Sequence, residues 1–187
     1  MAKVVVLGAG VSGHTAALVL RRKLGKEHEV VVVSPNRRWN WIPSNIWVGV
    51  GLMDKQDVTF ELAPVYERAG VDFRQAKALE LHPEGTADSA TPRVTIEYTS
   101  EARRGEREDV AYDYLVNATG PKLNFAATPG LGPDGHSLSV CTFDHAEKTA
   151  DALRAAIERM KAGEQLTFVV GMGHGSCTCE GAAFEYV

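Results

Sequence analysis

The chain has 187 residues, 44% of them apolar and 24% charged, with a formal net charge of -4. That length buries one sizeable core, or one domain and part of another, and the acidic balance argues against a polyanion such as nucleic acid as partner. No run of 18 apolar residues is present and no signal peptide precedes the first apolar stretch, so the expectation is a soluble chain made in the cytoplasm.

Residues 3–13 read Lys-Val-Val-Val-Leu-Gly-Ala-Gly-Val-Ser-Gly. An apolar strand runs into Gly8, Gly10 and Gly13, and a helix is expected over residues 12–24. This is the strand–turn–helix fingerprint of dinucleotide binding. Gly8 allows the tight turn, Gly10 lets the backbone approach a pyrophosphate, and Gly13 lets the helix pack on the strand. The helix N-terminus offers unpaired N–H groups and a positive dipole to the phosphates. Gly25 is the expected C-cap. Residues 29–33 form a second buried strand, whose continuous valines suit a parallel sheet with helices on both faces.

Dinucleotide folds usually place Asp or Glu at the tip of that second strand, to bind the adenosine ribose. Here the tip is Ser34-Pro35-Asn36, and Ser34 and Asn36 can bond ribose hydroxyls instead. Arg37 and Arg38 follow, either to meet a phosphate or as part of a solvated loop. All three tryptophans, Trp39, Trp41 and Trp47, then fall within nine residues of a loop that also holds Pro43. Two readings stay open for it, a wall around a planar ligand or a packed loop or subunit contact.

A strand end and a short helix broken near Pro64 are expected within residues 57–68, and a third parallel strand over 70–74. Residues 77–82, 93–99 and 110–112 read as a three-strand meander around a charged tip at 100–109. An apolar strand then ends in Ala118-Thr119-Gly120, small residues that let a bound nucleotide lie close to the backbone. A helix is expected over 144–162 with Asp144 as N-cap and Gly163 beyond it. Residues 166–170 read as a new buried strand, followed by a second glycine-rich turn and a helix over 182–187. The expected fold is α/β, a Rossmann-like domain over residues 1–124 with its meander at about 77–112. A linker, a long helix and the truncated start of a second dinucleotide-binding-type domain fill 125–187. Two helical turns after one strand cannot bury their own apolar face, so the chain reads as part of a longer protein.

Cys141, Cys177 and Cys179 are odd in number, late and clustered. That argues against a disulfide framework and leaves reactive thiols open. Cys141 taken alone reads either as a small buried apolar residue or as a reactive thiol. Cys177-x-Cys179 reads as a redox pair, a weak metal site or chance, and no metal is expected.

These features together resemble the two-dinucleotide-binding-domain flavoproteins, whose first domain holds FAD. Glutathione-reductase-like members carry a Cys pair before an Ile-Pro-Ser segment. Here Ile42-Pro43-Ser44 has no cysteine before it, so that chemistry is absent. Pro43-Ser44-Asn45-Ile46-Trp47-Val48-Gly49-Val50-Gly51, Tyr112-Asp113-Tyr114-Leu115-Val116-Asn117-Ala118-Thr119-Gly120-Pro121-Lys122-Leu123, and Ser139-Val140-Cys141-Thr142-Phe143-Asp144-His145-Ala146-Glu147 are similar to stretches of the sulfide:quinone oxidoreductases, as is Cys179 with Phe184-Glu185-Tyr186.

The resemblance implies FAD bound through Gly8, Gly10, Gly13, Ser34, Asn36, Pro43, Lys77, Ala78, Thr119 and Gly120. It implies Cys179 as the cysteine beside the flavin, Cys141 near the sulfide entry, and His145 and Glu185 as proton-handling groups. A thiolate beside a flavin suits attack on sulfur followed by two-electron transfer. The implied parent is a peripheral membrane enzyme that oxidises sulfide to zero-valent sulfur or polysulfide and passes electrons to quinone, with a homo-oligomer as a further expectation. Its third cysteine, its quinone pocket and its membrane-contacting helices have no counterpart in these 187 residues, so the chain alone is expected to be inactive. Alternatives are a flavocytochrome c-type sulfide dehydrogenase subunit, an NAD(P)H-dependent flavoprotein, or a non-catalytic nucleotide-binding module.

Overall fold

The computed structural model describes residues 1–172; Cys177, Cys179, Glu185 and the expected helix over 182–187 lie outside the described residues. The elements in chain order are β1 (Lys3–Leu7), α1 (Val11–Lys23), β2 (Glu29–Ser34), β3 (Arg38–Asn40), α2 (Asn45–Gly49), α3 (Lys55–Val58) and β4 (Thr59–Glu61). They continue as α4 (Leu62–Ala69), β5 (Asp72–His82), β6 (Arg93–Tyr98), β7 (Arg107–Ala111), β8 (Tyr114–Asn117) and α5 (Phe143–Lys161). Two compact units result. One is Met1–Trp39 with Phe60–Pro121, the other Asn40–Thr59 with the described part of Lys122–Val187. No change of composition marks residues 40–59 as separate.

The first unit is built on a six-stranded sheet in the order β7-β6-β5-β2-β1-β8. β5, β2, β1 and β8 run parallel, and β6 and β7 complete the antiparallel meander. The expected strands at 70–74 and 77–82 are one strand, the 11-residue β5. One edge of it pairs with β2 as far as Ser34 opposite Gln75, and from Ala76 onward the other edge pairs with β6. A strand has two hydrogen-bonding edges, so one segment serves both the parallel sheet and the meander.

Side-chain alternation sends the valines of β1 and β2 to opposite faces. Val6, Val30 and Val32 pack with Ala17 of α1, Leu62 and Tyr66 of α4, and Val71. Val5, Leu7, Val31 and Val33 pack with Ala76, Val94, Ile96, Tyr98 and Val110. Among the described residues of the first unit, helices therefore pack on one face and the meander on the other. The expectation of helices on both faces is corrected accordingly. A run of valines needs both faces dry, and a β layer excludes water as a helix does.

Local chemistry moves several expected boundaries. Pro64 does not break α4; it sits in the first turn, where its missing N–H would have had no intrahelical acceptor. Gly70 ends α4 at φ 71, the left-handed conformation that glycine adopts most cheaply. α1 ends at Leu24 rather than on a left-handed Gly25, and the Arg21 guanidinium donates to the carbonyls of Leu24, Gly25 and His28. The charged tip at 100–109 is shorter than expected, because Arg107 can sit in β7 and pair with Glu97 across the ladder at 3.1 Å.

In the second unit α5 starts at Phe143, and its N-cap is Thr142 rather than Asp144. The Thr142 hydroxyl accepts the His145 N–H at 3.3 Å. Val48, Val58 and Ala146 form its small core with Val140 and Phe143. Asn40 and Asn45 exchange amide hydrogen bonds of 2.9 and 3.1 Å, and Asn45 is fully buried. Residues 166–170 are not a strand, and Val169 is 91% exposed. No described strand offers them a ladder, and apolar residues without a partner edge do not make a strand.

Candidate functional site: a glycine-lined cradle at the end of the parallel strands

Gly8, Gly10 and Gly13 join β1 to α1, and the space around each differs. Gly8 sits at φ 95, and a Cβ there would fall 2.2 Å from the Ala118 carbonyl oxygen. A Cβ on Gly13 would fall 2.1 Å from the Gly8 carbonyl oxygen. Both glycines are consumed by close packing of backbone on backbone. A Cβ on Gly10 would meet nothing within 4 Å. Gly10 is also the N-cap of α1, with no side-chain cap, and the first turn carries no acidic residue. The initial N–H groups of α1 therefore have neither an intrahelical acceptor nor a side-chain cap, and the backbone at Gly10 is open to a close approach. That is a fit for a pyrophosphate, so the group the fingerprint implies suits the residues present.

Two hydrogen bonds brace the cradle: Gly8 N–H donates to Val33 O and Ala118 N–H to Leu7 O, both at 2.8 Å. Asn117, which the sequence reading passed over, fixes the opposite lip. Its side-chain oxygen accepts the Thr119 N–H at 3.3 Å and the Thr119 hydroxyl at 2.9 Å. Thr119 thus has its own donors engaged, and Thr119 and Gly120 are both exposed. An Asn beside Ala-Thr-Gly was the available signal, since its side chain bonds the backbone two residues on.

At the β2 tip, Ser34 is buried and its hydroxyl accepts the Asn36 N–H at 3.4 Å, while Asn36 is exposed. Thr99 pins this turn by donating to Pro35 O at 2.9 Å. β5 outruns β2 beyond Gln75, so the β2-side backbone edge at Lys77 and Ala78 has no strand partner among the described residues. A register shift between Ala78 and Glu80 marks a bulge beside it. Ser34, Asn36, Lys77 and Ala78 therefore lie at the carboxyl end of the parallel strands, with the three glycines and Thr119.

Arg37 is largely exposed and Arg38 partly buried, and both converge on Glu61. Arg37 Nε lies 2.7 Å from Glu61 Oε2 and Arg38 NH1 lies 2.8 Å from Glu61 Oε1. The Arg37 hydrogen bond is the main cause holding the Glu61 carboxyl below its usual range.

The tryptophans divide between the two units. Trp39 belongs to an aromatic cluster in the first unit, stacked on Phe60 at 4.9 Å and 5.8 Å from the His14 ring. Trp41 and Trp47 belong to the second unit and are 43% and 42% exposed, and Pro43 is exposed beside them.

His14 follows Gly13 directly, and its Nδ1 lies 3.0 Å from the Tyr66 hydroxyl. Trp39, Phe60 and Tyr66 surround its ring. Burial lowers its pKa below the ordinary 6.5. The unfolded chain then binds the proton more readily, so stability is full above about pH 6.5 and falls as the pH drops through that value toward the lowered one. Denaturant midpoints measured across pH 5 to 8 should show this loss, and His14→Phe should flatten it.

In the second unit, Cys141 is exposed, which removes the reading of a buried apolar cysteine. It lies one residue before the N-cap of α5, and its N–H donates to Ser139 Oγ at 3.2 Å. The His145 ring lies 5.9 Å from that of Phe125, and its Nδ1 is buried with no hydrogen-bond partner among the described residues. No group of acidic, His or Cys side chains able to hold a metal occurs among the described residues.

A family model described as pyridine nucleotide-disulphide oxidoreductase matches residues 2–184. The chain is 32% identical over 155 residues to a sulfide-quinone reductase of Aquifex aeolicus, covering 82% of this chain and 32% of that protein. It is 27% identical over 169 residues to the mitochondrial sulfide:quinone oxidoreductase of Mus musculus, covering 88% and 33%. The X-ray structure of the sulfide:quinone oxidoreductase from A. aeolicus matches with a TM-score of 0.74 and 28% identity, over 100% of this chain and 38% of that one. The chain thus spans about a third of the length of the curated relatives it matches.

Proposed function

The chain belongs to the pyridine nucleotide-disulphide oxidoreductases, a family of FAD-binding flavoproteins, and from that footing we propose that its first unit holds FAD for an oxidoreductase of the sulfide:quinone type. The observation that carries this reading is the division among the glycines. Gly8 and Gly13 are closed by backbone, and Gly10 alone is open, at an uncapped helix N-terminus.

Bound FAD supplies a two-electron acceptor. The chain's own residues bind and orient it. The first N–H groups of α1 take the pyrophosphate, Ser34 and Asn36 take the ribose, and the free edge of β5 at Lys77 and Ala78 takes the adenine. The lip at Thr119 and Gly120, braced by Asn117, lies along the chain of the cofactor.

Cys141 is the exposed thiol of the described residues and fits a sulfur-handling role, with Cys179 as its partner in the same reading. His145 offers a buried, unpaired Nδ1 to hold a proton. Glu185 is the second proton-handling group. Hydrosulfide gives up two electrons and a proton to become zero-valent sulfur, and a quinone takes the two electrons with that proton and a second one from solvent. That turnover is assigned to the whole protein, at the membrane surface. Among the described residues no helix is long and apolar enough to cross a membrane.

The test is anaerobic reduction of the full-length protein. Sulfide should bleach the oxidised-flavin absorption, NADH should not, and Cys179→Ser should abolish the bleaching. The reverse pattern would favour an NAD(P)H-oxidising enzyme. That reading is supported by 28% identity over 139 residues to an external alternative NAD(P)H-ubiquinone oxidoreductase of Arabidopsis thaliana.

A further inference from the structure

The tip of β2 carries an unusual charge arrangement. In dinucleotide folds an acid at this tip accepts the ribose hydroxyls, and an arginine nearby accommodates a 2′-phosphate. Here β2 ends in Ser34-Pro35-Asn36 without an acid, and two arginines follow within two residues. Taken alone, that segment is built to receive a phosphate. The carboxylate that answers it comes from elsewhere in the first unit, at the end of β4.

Glu61 takes three charge-assisted hydrogen bonds from the two arginines. Arg37 Nε donates to Oε2 at 2.7 Å and Arg37 NH2 to Oε1 at 3.2 Å, a bidentate fork, while Arg38 NH1 donates to Oε1 at 2.8 Å. The backbones are strapped together as well, because Leu62 N–H donates to Arg37 O at 3.0 Å. The Arg37 side chain is 71% exposed, so this pairing adds little to folding stability. Its effect falls on whatever anion approaches the tip. A fork already filled by a carboxylate does not present its planar donors to a phosphate.

We propose that Glu61 is a specificity-determining residue: by occupying Arg37 and Arg38 it makes the site take an adenine nucleotide with a free ribose and reject one carrying a 2′-phosphate. The inference rests on the nucleotide-site reading above. Glu61 does from β4 what an acid on β2 does in other dinucleotide sites, by disarming cations instead of bonding the sugar.

The experiment titrates the 187-residue chain and its Glu61→Gln form with 5′-ADP and with adenosine 2′,5′-bisphosphate, by calorimetry at low salt. Gln keeps the shape and one acceptor but releases the charge, so the half-buried position keeps its volume. Glu164→Gln is the control, since it uncovers Arg159 on the second unit by the same chemistry. The unaltered chain should prefer 5′-ADP. Glu61→Gln should move the preference toward the 2′,5′-bisphosphate by about tenfold, less at high salt, and Glu164→Gln should not move it. Binding of 5′-ADP with a ratio that Glu61→Gln leaves unchanged overturns the proposal alone. Failure of every form to bind either nucleotide overturns the site reading and the proposal together.

Discussion

Gly13→Ala should cost the first unit about 3–4 kcal/mol, at or above the usual 1–3 kcal/mol of overpacking, because the added methyl meets backbone. Its Cβ would lie 2.1 Å from the Gly8 carbonyl oxygen and 3.2 Å from the Ala118 Cβ. No side chain can swing away to relieve the first contact. The strand and helix would have to separate, disturbing the sheet where β1 pairs with both β2 and β8. Gly8→Ala carries a second penalty, the positive φ of 95. Gly10→Ala should behave oppositely. It meets nothing, so stability should stay within about 1 kcal/mol, the scale of an N-cap change. Denaturant unfolding of the three variants checks this ordering.

Tyr66→Ala should be as damaging, about 3–5 kcal/mol, the usual cost of emptying a large aromatic site. Tyr66 has no exposed surface, packs on Phe73 at 5.3 Å and gives His14 its hydrogen bond. Its removal empties the layer between α4 and the sheet and unseats the residue next to Gly13. Tyr66→Phe keeps the volume and loses only the hydroxyl, so it should cost about 1 kcal/mol. A comparable cost for both would mean that the hydrogen bond, not the packing, holds the cluster.

The cradle was legible because it is local. Gly8, Gly10, Gly13 and the strands around them follow from glycine chemistry and apolar runs within 30 residues. β5 was misread as two strands because its change of partner at Gln75 and Ala76 depends on where β2 ends, not on β5 itself. The pairing of Arg37 and Arg38 with Glu61 spans more than 20 residues and has no periodic signal. The tryptophans looked like one feature since they are close in sequence, yet the chain passes from one unit to the other between Trp39 and Asn40. The apolar run at 166–170 satisfied every local criterion for a strand, but the described residues offer it no partner strand.

The most direct measurement is FAD affinity of the 187-residue chain by quenching of flavin fluorescence, with ADP as competitor, for the unaltered protein and Gly10→Ala. The unaltered chain should bind FAD and release it to ADP. Gly10→Ala, folded to the same denaturant midpoint, should bind at least about a hundredfold more weakly, a loss of about 2.7 kcal/mol. Equal affinity in the two proteins, or an unaltered chain that binds neither FAD nor ADP, would contradict the assignment of this cradle to the cofactor's pyrophosphate.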